Sequence, residues 1–226
     1  MKNKGVLLVL EGIDGSGKAT QSALLQKQLT REGRAVRRVS FPDYDSPSSA
    51  LVKMYLAGDF GSDPSDVNPY AASLFYAVDR FASYRMKWKR FYEEGGIVIA
   101  DRYTTSNMVH QMTKYDSAEA RAAFLQWLEQ TEYEELGLPR PDGVFLLDVP
   151  LAVSEELVRR RAAQGGSMDI HEQHMDYLRR CHEAYQELAH RYGWHRIACA
   201  EEGKLLPPET ITAALAEKVK AILVGR

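Results

Sequence analysis

The residues of this chain best placed to do chemistry are Gly12-Ile13-Asp14-Gly15-Ser16-Gly17-Lys18. Glycines in a tight turn let successive backbone N–H groups converge on a phosphate, and a helix starting there adds about half a positive charge. Lys18 supplies a mobile cation for the β- and γ-phosphates of a nucleotide. Such a G-x-x-x-x-G-K segment means something only between a strand and a helix. Both are present: the apolar run at residues 6–10 precedes it and a helical pattern at 21–29 follows. Residue 19 is Ala, where the motif places a Ser or Thr hydroxyl on Mg²⁺. Thr20 comes one residue late, a rotation of about 100° on a helix, so other groups or water must complete any metal shell.

A second candidate group is Asp101-Arg102, directly after the apolar run Ile97-Val98-Ile99-Ala100. An acid at the end of a buried strand beside a phosphate loop is positioned for Mg²⁺, and Arg is suited to bidentate phosphate recognition. Tyr76 and Arg80 share a helix face at i, i+4. With Phe75 and Phe81 they can form a stacking face for a base, but by spacing alone Phe75, Tyr76 and Phe81 read as core residues. Arg159-Arg160-Arg161 precedes the flexible string Gln164-Gly165-Gly166-Ser167, and Asp169 and Glu172 follow. These residues fit a mobile lid that brings charge to a phosphoryl group, and equally a solvated helix end. His171 and His174 do not have zinc-site spacing. The run Arg85-Met86-Lys87-Trp88-Lys89-Arg90 reads as a solvated face with Trp88 packed inward.

Positioning these groups requires an ordered sheet. Apolar runs at 6–10, 35–39, 97–100, 144–147 and, weakly, 196–199 alternate with helical patterns at 73–89, 117–129, 154–161, 171–191 and 208–223. Near-continuous apolar runs suit buried parallel strands, joined by helical crossovers. The pattern predicts an α/β fold with a five-stranded parallel sheet, helices on both faces, and ligands at the carboxyl ends of the strands. With 226 residues and no linker or repeat, the chain reads as one domain, 1–226, with a lid at about 159–172. A net charge of −2 argues against a nucleic-acid binder. No apolar run approaches the roughly 18 residues of a membrane span. Two cysteines, Cys181 and Cys199, make no disulfide framework and point to a reducing, cytoplasmic setting.

The ordered motifs resemble the thymidylate kinase family, of the P-loop nucleoside monophosphate kinase fold (three layers, α/β/α). The residues that carry the resemblance are Glu11 to Lys18, Phe41-Pro42, Tyr76-x-x-Asp79-Arg80, Asp101-Arg102-Tyr103-x-x-Ser106-Asn107 and Leu147-Asp148-Val149-Pro150. The resemblance implies ATP-dependent, in-line phosphorylation of dTMP to dTDP, toward dTTP, with Mg²⁺, in a homodimer. It implies ATP binding by Gly12, Gly15, Ser16, Gly17, Lys18, Ala19 and Thr20. For dTMP it implies Asp14 at the 3′-hydroxyl, Arg102 on the phosphate, Arg80 on a thymine carbonyl and Tyr76 on the ring. Phe41, Asn107, His110 and Gln111 would complete the pocket. The catalytic set becomes Lys18, Asp14, Arg102 and Arg161, and the metal set Asp101, Asp169 and Glu172. This chain departs from the family at several points. Tyr76 stands where many members have Phe, and His110 where a tyrosine helps exclude a ribose 2′-hydroxyl. Gly15 replaces an Arg of some members, and Gly165 to Met168 with Ile170 replace lid arginines. A kinase for another deoxynucleotide or nucleoside, or a nucleotide switch, stays open on the motifs alone.

Overall fold

The computed structural model describes residues 4–163 and 175–224. Strand β1 (Val6–Glu11) leads through the glycine loop into α1 (Lys18–Arg31), then β2 (Val36–Ser40) and α2 (Ala50–Ala57). Helix α3 (Pro69–Ser83) continues through a π-helical turn, Tyr84–Trp88, into the short α4 (Lys89–Glu93). Strand β3 (Ile97–Asp101) is followed by α5 (Thr104–Met112), α6 (Ala118–Glu129) and a second π-helical turn, Gln130–Glu135. Then come β4 (Gly143–Asp148), α7 (Leu151–Ala163), α8 (Met175–Arg191) and β5 (His195–Ala198). A small hairpin, β6 (Ala200–Glu201) and β7 (Lys204–Leu205), precedes α9 (Pro208–Val224).

The main sheet has five strands in the order β2-β3-β1-β4-β5, and every pairing in it is parallel. The expected α/β sheet is therefore present. The three inner strands are apolar because both of their faces are covered. Along β1, Leu7 and Val9 enter a core with residues of α5, α6 and α8, among them Met108, Phe124 and Tyr185. Leu8 and Leu10 enter the opposite core with Leu25 and Leu29 of α1 and Leu215 and Val219 of α9. The period-two alternation of a strand thus builds a three-layer α/β/α molecule. Strand β2 lies at the sheet edge, which accommodates the exposed Arg37 and Arg38 within it.

Several expected boundaries are corrected. The pattern at 73–89 is not one helix: α3 starts at Pro69, with Asn68 capping Ala71 N at 2.9 Å, and the π turn interrupts it. Helices α2 and α5 and the β6–β7 hairpin are additional to the elements expected from the sequence. Other local signals hold. Ser117 caps Ala120 N at 3.1 Å, α9 begins at Pro208, and Trp88 is buried while Arg85, Met86 and Lys87 are exposed.

Candidate active site

The phosphate loop leaves the carboxyl end of β1, the central strand of the sheet. Gly12 has φ 150°, and a Cβ there would lie 2.9 Å from the Leu147 carbonyl oxygen and 2.6 Å from Ser16 Oγ. Gly17, at φ 85°, takes the left-handed conformation from which α1 starts. Lys18 is folded back over the loop. Its Nζ donates to Gly12 O at 2.9 Å and Ile13 O at 3.0 Å, with Ser16 Oγ at 3.5 Å. Burial, and next the field of Arg102, bring the Lys18 pKa down to about 8, against the opposing fields of Asp14, Asp101 and Glu11. Ala19 and Thr20 are exposed on the first turn of α1.

Sheet register aligns Leu10 with Asp101, so the end of β3 stands beside the loop. Arg102 has φ 65°, a left-handed backbone that a non-glycine residue adopts at a cost of order 1–3 kcal/mol, typically at functional sites. Its guanidinium pairs with Asp14 and donates to Ser106 Oγ at 3.1 Å and Tyr185 OH at 3.0 Å. Burial opposes the Arg102 charge, but Asp14, Tyr185 and Glu11 outweigh it and hold the pKa well above the usual arginine value. Behind this pair lies Glu11, fully buried. It accepts hydrogen bonds from Thr105 Oγ1 (2.6 Å), Ser106 Oγ (2.7 Å), Tyr185 OH (3.0 Å) and Tyr103 N (3.3 Å).

A cavity opens next to Arg102. The expected substrate residues Asp14, Phe41, Tyr76, Arg80, Arg102, Asn107, His110 and Gln111 all line it. Phe75, in contrast, packs into a satellite cluster with Tyr55, and Phe81 is exposed, so the core reading of this helix face does not hold for Phe81. Arg80 is buried and bonded to Glu132, with Nε to Oε2 at 2.7 Å and Nη2 to Oε1. His110 Nδ1 is 3.1 Å from Tyr177 OH, which also donates to the His110 carbonyl oxygen at 3.2 Å. Among the residues that line the cavity, three buried polar atoms have no hydrogen-bond partner among the described residues: Asn107 Oδ1, Gln111 Nε2 and Gln111 Oε1. A native fold rarely leaves such groups unsatisfied, because each costs about 1–3 kcal/mol.

Asp101 is partly exposed at the mouth of the loop. Asp169 and Glu172, expected beside it as metal ligands, lie outside the described residues, as does the side chain of Arg161 on α7. Arg159 is exposed and 3.6 Å from Glu155 one turn earlier. Among the described residues, no three acidic, histidine or cysteine side chains cluster as a metal site would require. The sequence does not single out Glu132 or Tyr185, and Glu11 enters there only as the first residue of the stretch Glu11 to Lys18, with no role of its own. Glu11 adjoins the glycine motif, which is a usable signal; Glu132 sits in the acidic stretch 129–135, which carries none.

The thymidylate kinase family profile matches residues 10–206. A thymidylate kinase of Mycobacterium tuberculosis is 32% identical over 195 residues, covering 84% of this chain and 87% of its own length. A probable thymidylate kinase of Pyrococcus horikoshii is 32% identical over 222 residues, covering 98% and 99%. The structure of thymidylate kinase from Candida albicans superposes with a TM-score of 0.71 at 21% identity, covering 96% of this chain and 92% of that one.

Proposed function

The chain belongs to the thymidylate kinase family and phosphorylates dTMP, and from that premise we propose how its residues divide the work. ATP lies with its β- and γ-phosphates in the loop of Gly12, Gly15, Ser16 and Gly17, under Lys18 and the amides of Ala19 and Thr20. The dTMP phosphate is held by Arg102, and its base enters the cavity of Tyr76, Arg80, Asn107 and Gln111. Asp14 meets the sugar while orienting Arg102, and Phe41 and His110 close the sides. The γ-phosphoryl group passes in line to the dTMP phosphate, giving dTDP and ADP. No covalent enzyme intermediate is needed, because catalysis here is alignment and charge stabilisation.

The observation that supports this reading best is the set of unpaired buried amide atoms on Asn107 and Gln111, on the same wall as Arg80. A pyrimidine with alternating carbonyl and N–H groups offers partners to such atoms. A nucleotide switch has no use for a second phosphate clamp with a base pocket beside it. The test is Gln111→Leu. It should raise the dTMP KM by roughly tenfold or more, since hydrogen-bond loss to substrate costs about 1–3 kcal/mol, and leave the ATP KM within about threefold. An unchanged dTMP KM would remove the base from this cavity.

The donors present fit Mg²⁺. Asp101 is a hard oxygen ligand at the loop mouth, and its field reaches Lys18. Ala19 contributes no oxygen, so phosphate oxygens and water would fill the other positions; once bound, the ion would neutralise phosphate charge. The same reading gives Arg161 the role of a catalytic cation on a lid at about 159–172 of a single domain, with Asp169 and Glu172 near the metal. It also makes the enzyme a homodimer. Leu74, Val78 and Phe81 form a stripe on α3 that is 44%, 45% and 37% exposed, an apolar surface suited to a second copy. No helix among the described residues is long and apolar enough to cross a membrane, and Cys181 and Cys199 are free thiols, in keeping with a cytoplasmic enzyme.

A further inference from the structure

We propose that Glu132 is a positioning residue for base recognition. It fixes the orientation of both Arg80 and Asn107, so that together they present a donor beside an acceptor to the substrate. The proposal rests on the reading of the cavity as a pyrimidine site.

Glu132 is 0% exposed and does not itself line the cavity. It is carried on the π-helical turn that follows α6, a distortion found often at functional sites. Its two oxygens accept four hydrogen bonds. Two come from Arg80 on α3, one from Thr104 Oγ1 at 2.8 Å and one from Asn107 Nδ2 at 3.3 Å, the last two on α5. A carboxylate has about four lone-pair directions, so this one is saturated. Arg80 is 2% exposed, so the pair is dry on both sides and water does not compete for its geometry.

Two consequences follow for the cavity. The Arg80 guanidinium spends Nε and one Nη2 proton on Glu132, and only its remaining N–H groups are available to a ligand. Its charge is already balanced, which favours an uncharged carbonyl over a second anion. The Asn107 amide is oriented by the same carboxylate. Its Nδ2 donates to Glu132 and to Ser73 O at 3.2 Å, which leaves Oδ1 as the unpaired end. Arg80 therefore offers a donor and Asn107 an acceptor. That pair complements a ring carbonyl next to an imide N–H, as in thymine or uracil. It mismatches cytosine, which has an amino group and an unprotonated ring nitrogen at those positions. Removing the Glu132 charge leaves Ser73 O as the remaining strong acceptor for Nδ2, so the Asn107 amide is held less firmly and can turn over to present Nδ2 instead.

The experiment measures kcat/KM for dTMP and dCMP with Glu132→Gln, alongside Arg80→Gln and the wild type. Glu132→Gln should lower the dTMP-over-dCMP preference by about tenfold or more, because a site built to pair one pattern of donors loses discrimination when a member reorients. The loss should appear in the dTMP KM, with the ATP KM within about threefold. If the folded variant keeps the wild-type preference while Arg80→Gln loses it, Glu132 is only structural and the positioning role is overturned. If Arg80→Gln also keeps the preference, the pyrimidine assignment of the cavity fails as well. Should Glu132→Gln not fold, Glu132→Asp keeps the charge but withdraws it by one methylene. A reduced preference in that variant supports the proposal, and an unchanged one overturns it.

Discussion

Arg102 directly follows β3 and Lys18 opens α1 after the loop from the adjacent β1, and the guanidinium of the first helps hold down the pKa of the second. Burial is the larger cause, and together they bring Lys18 to about 8. Arg102 is balanced by Asp14, whereas Lys18 is the cation held below its usual range, and phosphate oxygens beside it would favour its ammonium form.

A pH dependence follows. Lys18 is cationic below about 8 and neutral above it, so in the free enzyme kcat/KM for ATP should fall as pH rises through about 8. Bound phosphates favour the ammonium, so the corresponding fall in kcat should lie at higher pH. Lys18→Met should abolish that limb and lower turnover on the order of 10² or more. A folded Lys18→Met enzyme with near-normal turnover contradicts the loop assignment.

Arg102→Ala should chiefly impair use of dTMP. Loss of charge-assisted bonds to a phosphate predicts a rise in the dTMP KM of roughly 10- to 100-fold, with little change for ATP. Steady-state kinetics with each substrate varied separately decides it. A collapse of ATP affinity with the dTMP constant intact would assign Arg102 to the other phosphate.

Ala19→Thr restores a hydroxyl beside the loop at an exposed position. Because Mg²⁺ retains several waters and is held largely by substrate phosphates, kcat should change by less than roughly tenfold. A larger gain would mean that Ala19 limits the wild-type enzyme.

Leu74→Glu with Val78→Glu places two charges in the exposed stripe of α3. If the proposed dimer forms through this stripe, sedimentation should show the wild type as a dimer and this variant as a monomer, since buried charges without partners oppose association. A wild-type chain that sediments as a monomer at micromolar concentration would refute the dimer.

The inner strands were legible because burial on both faces demands unbroken apolar runs; β1, β3 and β4 satisfy this in full. The phosphate loop was legible because its function is carried by backbone and by contiguous residues. Helix α5 was not. Its Thr104, Thr105, Ser106 and Asn107 are all buried, but they face Glu11 and Glu132 rather than an apolar core, so no hydrophobic period marks it. Glu132 was invisible for a related reason. Its partner Arg80 lies 52 residues away, and among several nearby glutamates only the fold selects the buried one. For Tyr76, helical spacing favoured a core role and the family resemblance a binding role; for Arg80 the resemblance favoured a binding role. Both residues line the cavity, and Arg80 is buried there through its ion pair rather than through apolar packing.

The most direct test of the account is ADP release coupled to dTMP, dUMP, UMP or thymidine as acceptor, with dTDP identified as the product. The account predicts ATP turnover that depends on dTMP, with stoichiometric dTDP and ADP. Turnover that proceeds equally without dTMP, or that requires thymidine and ignores dTMP, would contradict it.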